Sequence, residues 1–366
     1  MIHRLLCTTA LAALLPAQQT KVLPKGMDFV EGPAVLTFPF NSGNPTCGIQ
    51  LLINAGEITQ GVAVITGFWF RPTQQTQTTV AFSKPYQVTA YTVAMNAANF
   101  EAMPSPYDPT TVLGGATPTL VFSGSVSVPA TTPLQLTPAP FSIHVAFSTP
   151  YLFDSSQGNL VLMFESTDNT TIPNTARVDA VTLSETATTG IVAPIDTQGC
   201  IVLGRSLTSS TSAASAVLGG TLSTQLTASP PGSLPAAFVV LAFDRADTDL
   251  AILGMTPGCM ARIAGTFMDS IVIDLGSGLP PVLWGIPLDP NLLGAAAITQ
   301  AVGLAPSGLL GDSVISNAEA IRVGDSGPAG KTMMVGFHSV TSTTNLWAHG
   351  TTGMNTPVVQ LEGVFP

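Results

Sequence analysis

The part of the sequence that decides the fold runs from residue 200 to residue 324. It opens on Gln198-Gly199-Cys200-Ile201-Val202-Leu203-Gly204 and returns to a second cysteine in Leu253-Gly254-Met255-Thr256-Pro257-Gly258-Cys259. Trp284-Gly285-Ile286-Pro287-Leu288-Asp289-Pro290 and Ile315-Ser316-Asn317-Ala318 follow further along. Proline and glycine separate the short apolar runs, as is typical of strands joined by turns. The stretch therefore predicts a β-sandwich tied by a disulfide.

A second all-β domain is expected ahead of this one, because 366 residues are enough for two sandwiches. The run from Phe141 to Phe147 alternates strictly, with Ile143, Val145 and Phe147 on one face and His144 on the other. The run from Leu160 to Glu165 is apolar on both faces and predicts a central strand. We expect an all-β protein of two jelly-roll-like β-sandwich domains with a short C-terminal β extension.

The sequence is divided as follows on this interpretation. The segments are a signal peptide (1–17), an N-terminal β-sandwich domain (26–184), a linker (185–196), the disulfide-tied β-sandwich domain (197–324) and the C-terminal β extension (325–366). The extension contains three apolar runs, which fit either extra strands at a sheet edge or a small appendage.

Within the second domain, the run from Ala236 to Phe243 predicts a strand buried on both faces. The alternation from Ile271 to Leu275 predicts that Ile271, Ile273 and Leu275 point inward. Asp289 before Pro290 predicts one short helical turn. The alanine-rich run from Gly294 to Val302 could extend that helical turn but is interpreted as a strand.

The composition argues against two classes of partner. The chain has 11 Lys and Arg against 21 Asp and Glu, a net charge of -10. Nucleic acids and anionic membrane surfaces both attract basic segments, so we expect neither as a partner. Only 9% of residues are charged while 45% are hydrophobic, a balance far from that of an ordinary soluble domain and common in secreted β proteins.

The first residues have the pattern of a secretory signal peptide. His3 and Arg4 precede an apolar run from Leu5 to Leu15, and Pro16-Ala17 offers a cleavage point before Gln18. The run is shorter than the roughly 20 residues of a membrane-spanning helix, although an uncleaved tether is the alternative. We expect a secreted, extracellular or cell-envelope protein without membrane insertion after signal removal.

Three cysteines remain after that cleavage, namely Cys47, Cys200 and Cys259. An oxidising compartment favours pairing, and three thiols leave one over. Cys200 and Cys259 each follow a glycine within one predicted domain, so we pair them and leave Cys47 free. An intermolecular bridge through Cys47 is the alternative.

The second domain resembles a β-rich module of unassigned function that is common in exported proteins of planctomycete-type bacteria. The resemblance lies in Gly199-Cys200, the apolar run from Ala236 to Phe243, Leu253 to Cys259, Ile286 to Pro290, and Ile315 to Ala318. A weaker likeness covers the N-terminal domain, in Pro140-Phe141, Pro150-Tyr151-Leu152-Phe153 and Gly158-Asn159-Leu160. The resemblance implies export and carries no catalytic residues. The tail after residue 324 departs from the pattern.

One motif suggests hydrolysis. Gly324-Asp325-Ser326-Gly327-Pro328 is similar to the nucleophile loop of trypsin-like serine proteases. That mechanism needs a histidine base and an orienting aspartate earlier in the chain, and His144 lacks the sequence context of such a base. A turn explains the same residues locally, so a serine hydrolase using Ser326 is only the remote alternative.

Other candidate sites are weaker still. Asp244, Asp247 and Asp249 have oxygen ligands for calcium, but their run lacks the glycine and closing glutamate of an EF-hand and is interpreted as a solvated loop. His338 and His349 share no zinc spacing. We therefore expect no catalytic residues, no metal and no cofactor.

Of the three tryptophans, Trp69 and Trp284 stand among core-like neighbours, which leaves Trp347 as the candidate ligand contact. The favoured function is a non-enzymatic structural or adhesive protein whose partners are neighbouring envelope proteins or a polysaccharide. The alternative is carbohydrate binding or processing, by analogy with other sandwiches.

Overall fold

The computed structural model describes residues 18–42, 46–73, 78–132, 138–167, 171–183, 190–265, 268–324, 333–339, 347 and 354–366. The protein belongs to the all-β class, as expected, and its sheets separate into two sets. We call residues 18–183 together with 333–366 the terminal unit, and residues 190–324 the central unit.

The terminal unit contains three sheets. Its strands are β1 (Gln19–Leu23), β2 (Ala34–Leu36), β3 (Cys47–Ile53), β4 (Val62–Phe70), β5 (Phe82–Val93), β6 (Thr119–Val128), β7 (Ile143–Asp154), β8 (Asn159–Ser166), β9 (Val178–Leu183), β21 (Met333–Ser339), β22 (Met354–Pro357) and β23 (Val359–Val364). The sheet orders are β1-β23-β4-β7, β21-β3-β8-β5-β6 and β2-β9-β22. Strand β8 lies between β3 and β5, as its two apolar faces predict.

The C-terminal segment adds strands to the sheets of the terminal unit: β21 and β22 lie at sheet edges, which is one of the two expected arrangements, whereas β23 lies inside a sheet. Strand β23 pairs with β1 on one side and β4 on the other, while β21 and β22 pair with β3 and β9. Val359 and Leu361 of β23 are fully buried. The chain therefore closes the terminal unit with its own last strands, and the central unit is inserted between them.

Three short helices connect strands of the terminal unit, namely α1 (Ala55–Ile58), α2 (Ala97–Glu101) and α3 (Pro109–Leu113). The side chains of Asn96 and Asp108 accept hydrogen bonds from the backbone of Asn99 and Thr110 at the starts of α2 and α3. Gly114 ends α3 in the left-handed conformation at φ 56°, which a glycine adopts without strain.

The central unit contains the remaining strands. They are β10 (Ile191–Pro194), β11 (Ser206–Thr211), β12 (Thr221–Ser229), β13 (Ala236–Ala242), β14 (Asp244–Asp249), β15 (Met260–Ala264), β16 (Met268–Ile273), β17 (Val282–Gly285), β18 (Ala296–Leu304), β19 (Val314–Ile315) and β20 (Glu319–Arg322). One sheet has the order β10-β20-β18-β13-β16, with β19 on β18, and faces the sheet β11-β12-β17 across a core. Strands β14 and β15 form a hairpin.

Several local predictions for the central unit are confirmed. Strand β13 lies between β16 and β18 and is buried on both faces over most of its length. Residues Pro290–Leu292 form a single 3-10 turn after Asp289, and the alanine-rich run forms strand β18. The predicted linker is partly wrong, because β10 lies inside it and pairs with β20. Residues 184–189 of that linker lie outside the described residues.

The hairpin of β14 and β15 corrects the interpretation of the aspartate run as a loop. Residues 244–249 form a strand with a register shift between Arg245 and Thr248. The hairpin is attached to the main sheet because the Arg262 amide donates to Gln300 Oε1 at 2.9 Å. The Arg262 guanidinium also pairs with Asp196 at 3.0 Å.

The two units share part of one core. Ala193, Ile298, Ala318 and Ala320 of the central unit belong to the same cluster of buried residues as the interior of the terminal unit. Arg322 Nε also donates to the carbonyl of Lys25 at 2.7 Å. The inserted unit is therefore packed against the terminal unit along β10, β20 and the start of β18.

Candidate functional site

An apolar pocket lies at one end of the central sandwich and is the first candidate site. Its volume is about 280 Å³. Leu222, Leu241, Trp284 and Ile321 reach into it and are almost completely buried, while Phe243 is 43% exposed. The buried residues form the floor, and Phe243 lies at the mouth.

Side chains of β17 alternate between buried and exposed, and this alternation points Trp284, the largest side chain of the pocket, into the core. Val282 and Trp284 are 3% and 5% exposed, whereas Leu283 between them is 61% exposed. In the register of the sheet Trp284 lies opposite Leu222 of β12. On the facing sheet Ala297 of β18 lies opposite Ile321 of β20. The small side chain of Ala297 leaves space between the two sheets, where a larger residue would fill it.

A second candidate is the outer edge of the main sheet, formed by β16. Ile271 and Ile273 are 64% and 57% exposed, and Val272 between them is 9% exposed. The alternation was identified correctly, but the prediction that Ile271 and Ile273 point inward is wrong, as it is for Leu275 at 89% exposed. A period of two separates the faces of a strand without saying which face meets the core.

The two isoleucines belong to cross-strand rows that remain apolar. Ile271 lies opposite Phe238, which in turn lies opposite Val302 of β18. Ile273 lies opposite Ala236, whose other neighbour is Leu304. Directly opposed residues project from the same face of a sheet. This outer face therefore carries two parallel apolar rows that end at the β16 edge.

A polar cluster on the terminal unit surrounds Trp69, which is half-buried rather than part of the core. Its indole stacks on the His144 ring with 3.7 Å between the ring centroids and 6° between the planes. Trp69 Nε1 donates to Glu362 Oε2 at 3.1 Å, and His144 Nε2 lies 2.9 Å from the same oxygen. Gln18 Nε2 donates to Glu362 Oε1. His144 lies on the other face of β7 from the buried Ile143 and Val145, as the alternation predicts, and its side chain is 33% exposed.

The predicted ligand contact does not fit its position. Trp347 is 4% exposed, and its backbone exchanges two hydrogen bonds with Tyr107. Its ring is therefore not presented for stacking on a sugar, whereas Trp284 is buried as expected. The neighbours of the two tryptophans predicted the opposite arrangement, with Trp69 in the core and Trp347 exposed, because strand pairing rather than local sequence decides which face a ring occupies.

The predicted disulfide between Cys200 and Cys259 is confirmed, with 5.0 Å between the Cα atoms. Cys259 is fully buried and belongs to the core of the central unit. Cys47 is buried in the terminal unit, where its thiol donates to the Pro39 carbonyl at 2.9 Å. Burial raises the pKa of this thiol, which lowers its reactivity.

Two buried carboxylates could not be singled out from the sequence. Glu319 accepts a hydrogen bond from Thr211 Oγ1 at 2.7 Å in the central core, and burial raises its pKa to about 7. Asp179 pairs with Arg71, and both side chains are fully buried. Burial raises the pKa of Asp179, while the Arg71 guanidinium opposes that change.

The remaining candidate residues form ion pairs and hydrogen bonds, and those in the part of the chain that the structure describes form no metal site. Asp247 pairs with Arg245 and Arg262, and Asp249 accepts from backbone amides. Over the described ranges, no group of three or more His, Cys, Asp or Glu could hold a metal. Ser326 and His349 lie outside the described residues, so their roles stay predictions.

Comparison with known proteins adds no assignment. No family model matches the chain. No curated protein matches it either. Within the described ranges, none of the helices has the length and apolar character that crossing a membrane requires.

Proposed function

We propose that this chain is an exported, non-enzymatic structural or adhesive protein of the cell envelope or extracellular matrix. The observation that carries the proposal is the pair of exposed isoleucines, Ile271 and Ile273, on the edge strand β16. Large exposed apolar patches on a folded protein mark sites of association. The disulfide and the resemblance to exported modules support the proposed compartment.

The edge of β16 can accept another strand. No described strand pairs with β16 on the side away from β13. An unpaired edge presents backbone donors and acceptors in a row, and proteins normally protect it with charges, bulges or a covering loop. Here Asp269 is the only charged side chain on the strand, and it stands at the opposite end from Ile273.

The partner that fits this edge is a second copy of the same chain. An antiparallel pairing of two β16 strands centred on Val272 places Ile271 of each copy opposite Ile273 of the other. Such β-branched pairs across strands are favourable, and the twofold arrangement is the commonest one for identical subunits. The two main sheets would become continuous through the paired edges, which gives a means of building an assembly.

The net charge of the chain distinguishes association through apolar residues from association through ion pairs. Copies that each carry a charge of -10 repel one another, and salt screens that repulsion over distances of about 10 Å at 0.1 M. Association through an apolar edge should therefore strengthen as the salt concentration rises. An association built on ion pairs would weaken instead.

The test is the mass of the protein in solution, measured by sedimentation at several concentrations and salt levels. We expect reversible association that is lost in Ile271→Lys and Ile273→Lys. The matched control is Leu152→Lys, which places the same charge on a leucine that is 67% exposed in the terminal unit. A wild-type chain that stays monomeric at high concentration and high salt, or equal loss in the control, would contradict the proposal.

Carbohydrate binding is the second candidate, and the position of Trp69 favours it. A half-exposed indole beside Glu362 and Gln18 combines an apolar surface with hydrogen-bonding groups, which is the combination a sugar ring uses. Affinity electrophoresis in gels containing polysaccharide tests it. Retardation that disappears in Trp69→Ala but persists in Trp347→Phe would support binding at this cluster, and no retardation by any polysaccharide tried would leave only the structural role.

A further inference from the structure

The apolar pocket of the central unit includes Met268 at the start of β16, but neither the exposed isoleucines of that strand nor any residue of the Trp69 cluster lines it. It lies between the two sheets of the sandwich, at the end where β13 and β17 finish and β18 begins. Its floor is made of buried side chains from both sheets, namely Leu222, Trp284 and Ile321. A site built on paired strands holds its shape better than one built on loops.

The chemistry of the lining excludes a charged or strongly polar occupant. All of the side chains that line the pocket are hydrocarbon, indole or thioether groups, or belong to glycine and proline. Moving an ion or an unpaired hydroxyl into such surroundings is strongly unfavourable. A water molecule needs about two to four polar partners to be held in a cavity, and the indole N–H of Trp284 is the only polar group among the lining side chains.

The size of the pocket indicates the class of ligand. An apolar cavity of about 150 Å³ is large enough to bind benzene and otherwise stays dry. The volume of about 280 Å³ here is nearly twice that, close to the lower limit of about 300 Å³ for small-molecule sites. The space therefore suits one medium-length hydrocarbon chain, and Phe243 at the mouth leaves room for a polar end to remain in water.

We propose that this pocket binds an uncharged aliphatic chain, with its hydrocarbon against Trp284 and any polar group outside the mouth. The chain can belong to a free small molecule or to a lipid, because the lining recognises only the hydrocarbon that both contain. Binding would use the driving force of apolar burial, which grows with each methylene group removed from water. The proposal does not depend on self-association through β16.

Trp284 provides the measurement, because it lines the pocket while Trp69 and Trp347 belong to the terminal unit. A brominated medium-chain alcohol should quench part of the tryptophan fluorescence with a saturable dependence on concentration. The quenching should disappear in Trp284→Phe, which removes the reporter but keeps an apolar ring. A parallel titration with phosphatidylcholine vesicles carrying brominated acyl chains distinguishes a lipid source from a free one, and quenching in either arm supports the proposal.

The variant that tests the site itself is Ala297→Phe, which fills the space facing Ile321. We expect at least about tenfold weaker binding of the alcohol. Ala146→Phe, on the exposed surface of β7, is the matched control and should bind as the wild type does. Phe243→Ala at the mouth is a second variant that adds no volume to the core, and it should accelerate release of the alcohol. Absence of quenching in both arms, or equal quenching in wild type, Trp284→Phe and Ala297→Phe, would overturn the proposal.

Discussion

The terminal and central units bury their apolar residues in different ways. The terminal core is aromatic, with Phe40, Phe68, Phe70, Tyr86 and Phe164 in mutual contact and, for example, 5.2 Å between the centroids of Phe68 and Phe70. The core of the central unit is mainly aliphatic, and among the described residues Trp284 is the only aromatic residue in its buried cluster. Large rings fill the space between sheets with few residues, whereas the aliphatic core leaves the pocket open.

The surfaces of the two units also differ, because most of the exposed large apolar residues lie in the central unit. Among the described side chains, the large apolar residues that are exposed in the terminal unit are Val62, Val80, Leu120 and Leu152, and all the others lie in the central unit. The terminal unit is further held by a buried ion pair, and the central unit by a disulfide. The comparison indicates that the terminal unit is a closed scaffold, while the central unit keeps apolar surface available for contacts.

The largest expected effect comes from breaking the buried ion pair of the terminal unit. Arg71→Ala leaves Asp179 buried without its partner and removes donors to the carbonyls of Met27 and Val30. We expect a loss of roughly 3–5 kcal/mol in the free energy of unfolding of that unit. Hydrogen exchange, read separately on peptides of each unit, is the measurement. Arg245→Ala, in the exposed pair with Asp247, is the control and should cost at most about 1 kcal/mol.

Removal of the disulfide should affect the other unit. Cys200 and Cys259 are separated by 59 positions, and closing a loop of that length stabilises a fold by about 4 kcal/mol on the chain-entropy model. Cys200→Ser with Cys259→Ser should therefore lower protection against hydrogen exchange in the central unit far more than in the terminal unit. Equal loss in both units would show that they unfold together. Cys47→Ser is the control for changing a cysteine outside the bridge.

The pH dependence of the central unit should come from Glu319. Its pKa is raised from 4.5 to about 7 by burial, so the folded state binds the proton more tightly than the unfolded state. The stability this contributes is full below the unfolded pKa and is lost as the pH rises toward about 7. The difference corresponds to roughly 3 kcal/mol.

Glu319→Gln keeps the hydrogen-bonding shape without the titrating proton. The variant should therefore be more stable than the wild type at pH values above the raised pKa, and its stability should vary less between acidic and neutral pH. Urea titrations at several pH values, followed by hydrogen exchange of the central unit, measure this. A variant that keeps the full pH dependence would show that another group is responsible.

The smallest expected effect checks which face of β16 meets the core. Val272→Thr places a hydroxyl in the core and should cost about 1–3 kcal/mol. Ile273→Thr makes a similar change on the exposed face and should stay within about 0.5 kcal/mol. Thermal unfolding of the two variants in parallel gives the comparison. If Ile273→Thr lowers the stability more than Val272→Thr, then Ile273 rather than Val272 faces the core.

Parts of the candidate sites were predictable from sequence and parts were not. The pairing of Cys200 with Cys259 and the buried position of Trp284 followed from residue types and neighbours, because both depend on local context. The pocket did not, because its walls come from strands up to about a hundred residues apart in the chain, from Leu222 to Val323. The half-exposed face of Trp69 depends on its pairing with His144 and Gln360 in neighbouring strands.

The sequence by itself determined the all-β class, the turns at proline and glycine, the strand at Ala236–Ala242 and the disulfide, since these depend on residue type and short periodicity. Only the tertiary structure decided that β23 lies between β1 and β4, and that Val272 rather than Ile273 faces the core. The physical reason is the same for both. A strand's hydrogen bonds and its buried face are completed by partners far away in the chain, and nothing in the strand's own residues identifies those partners.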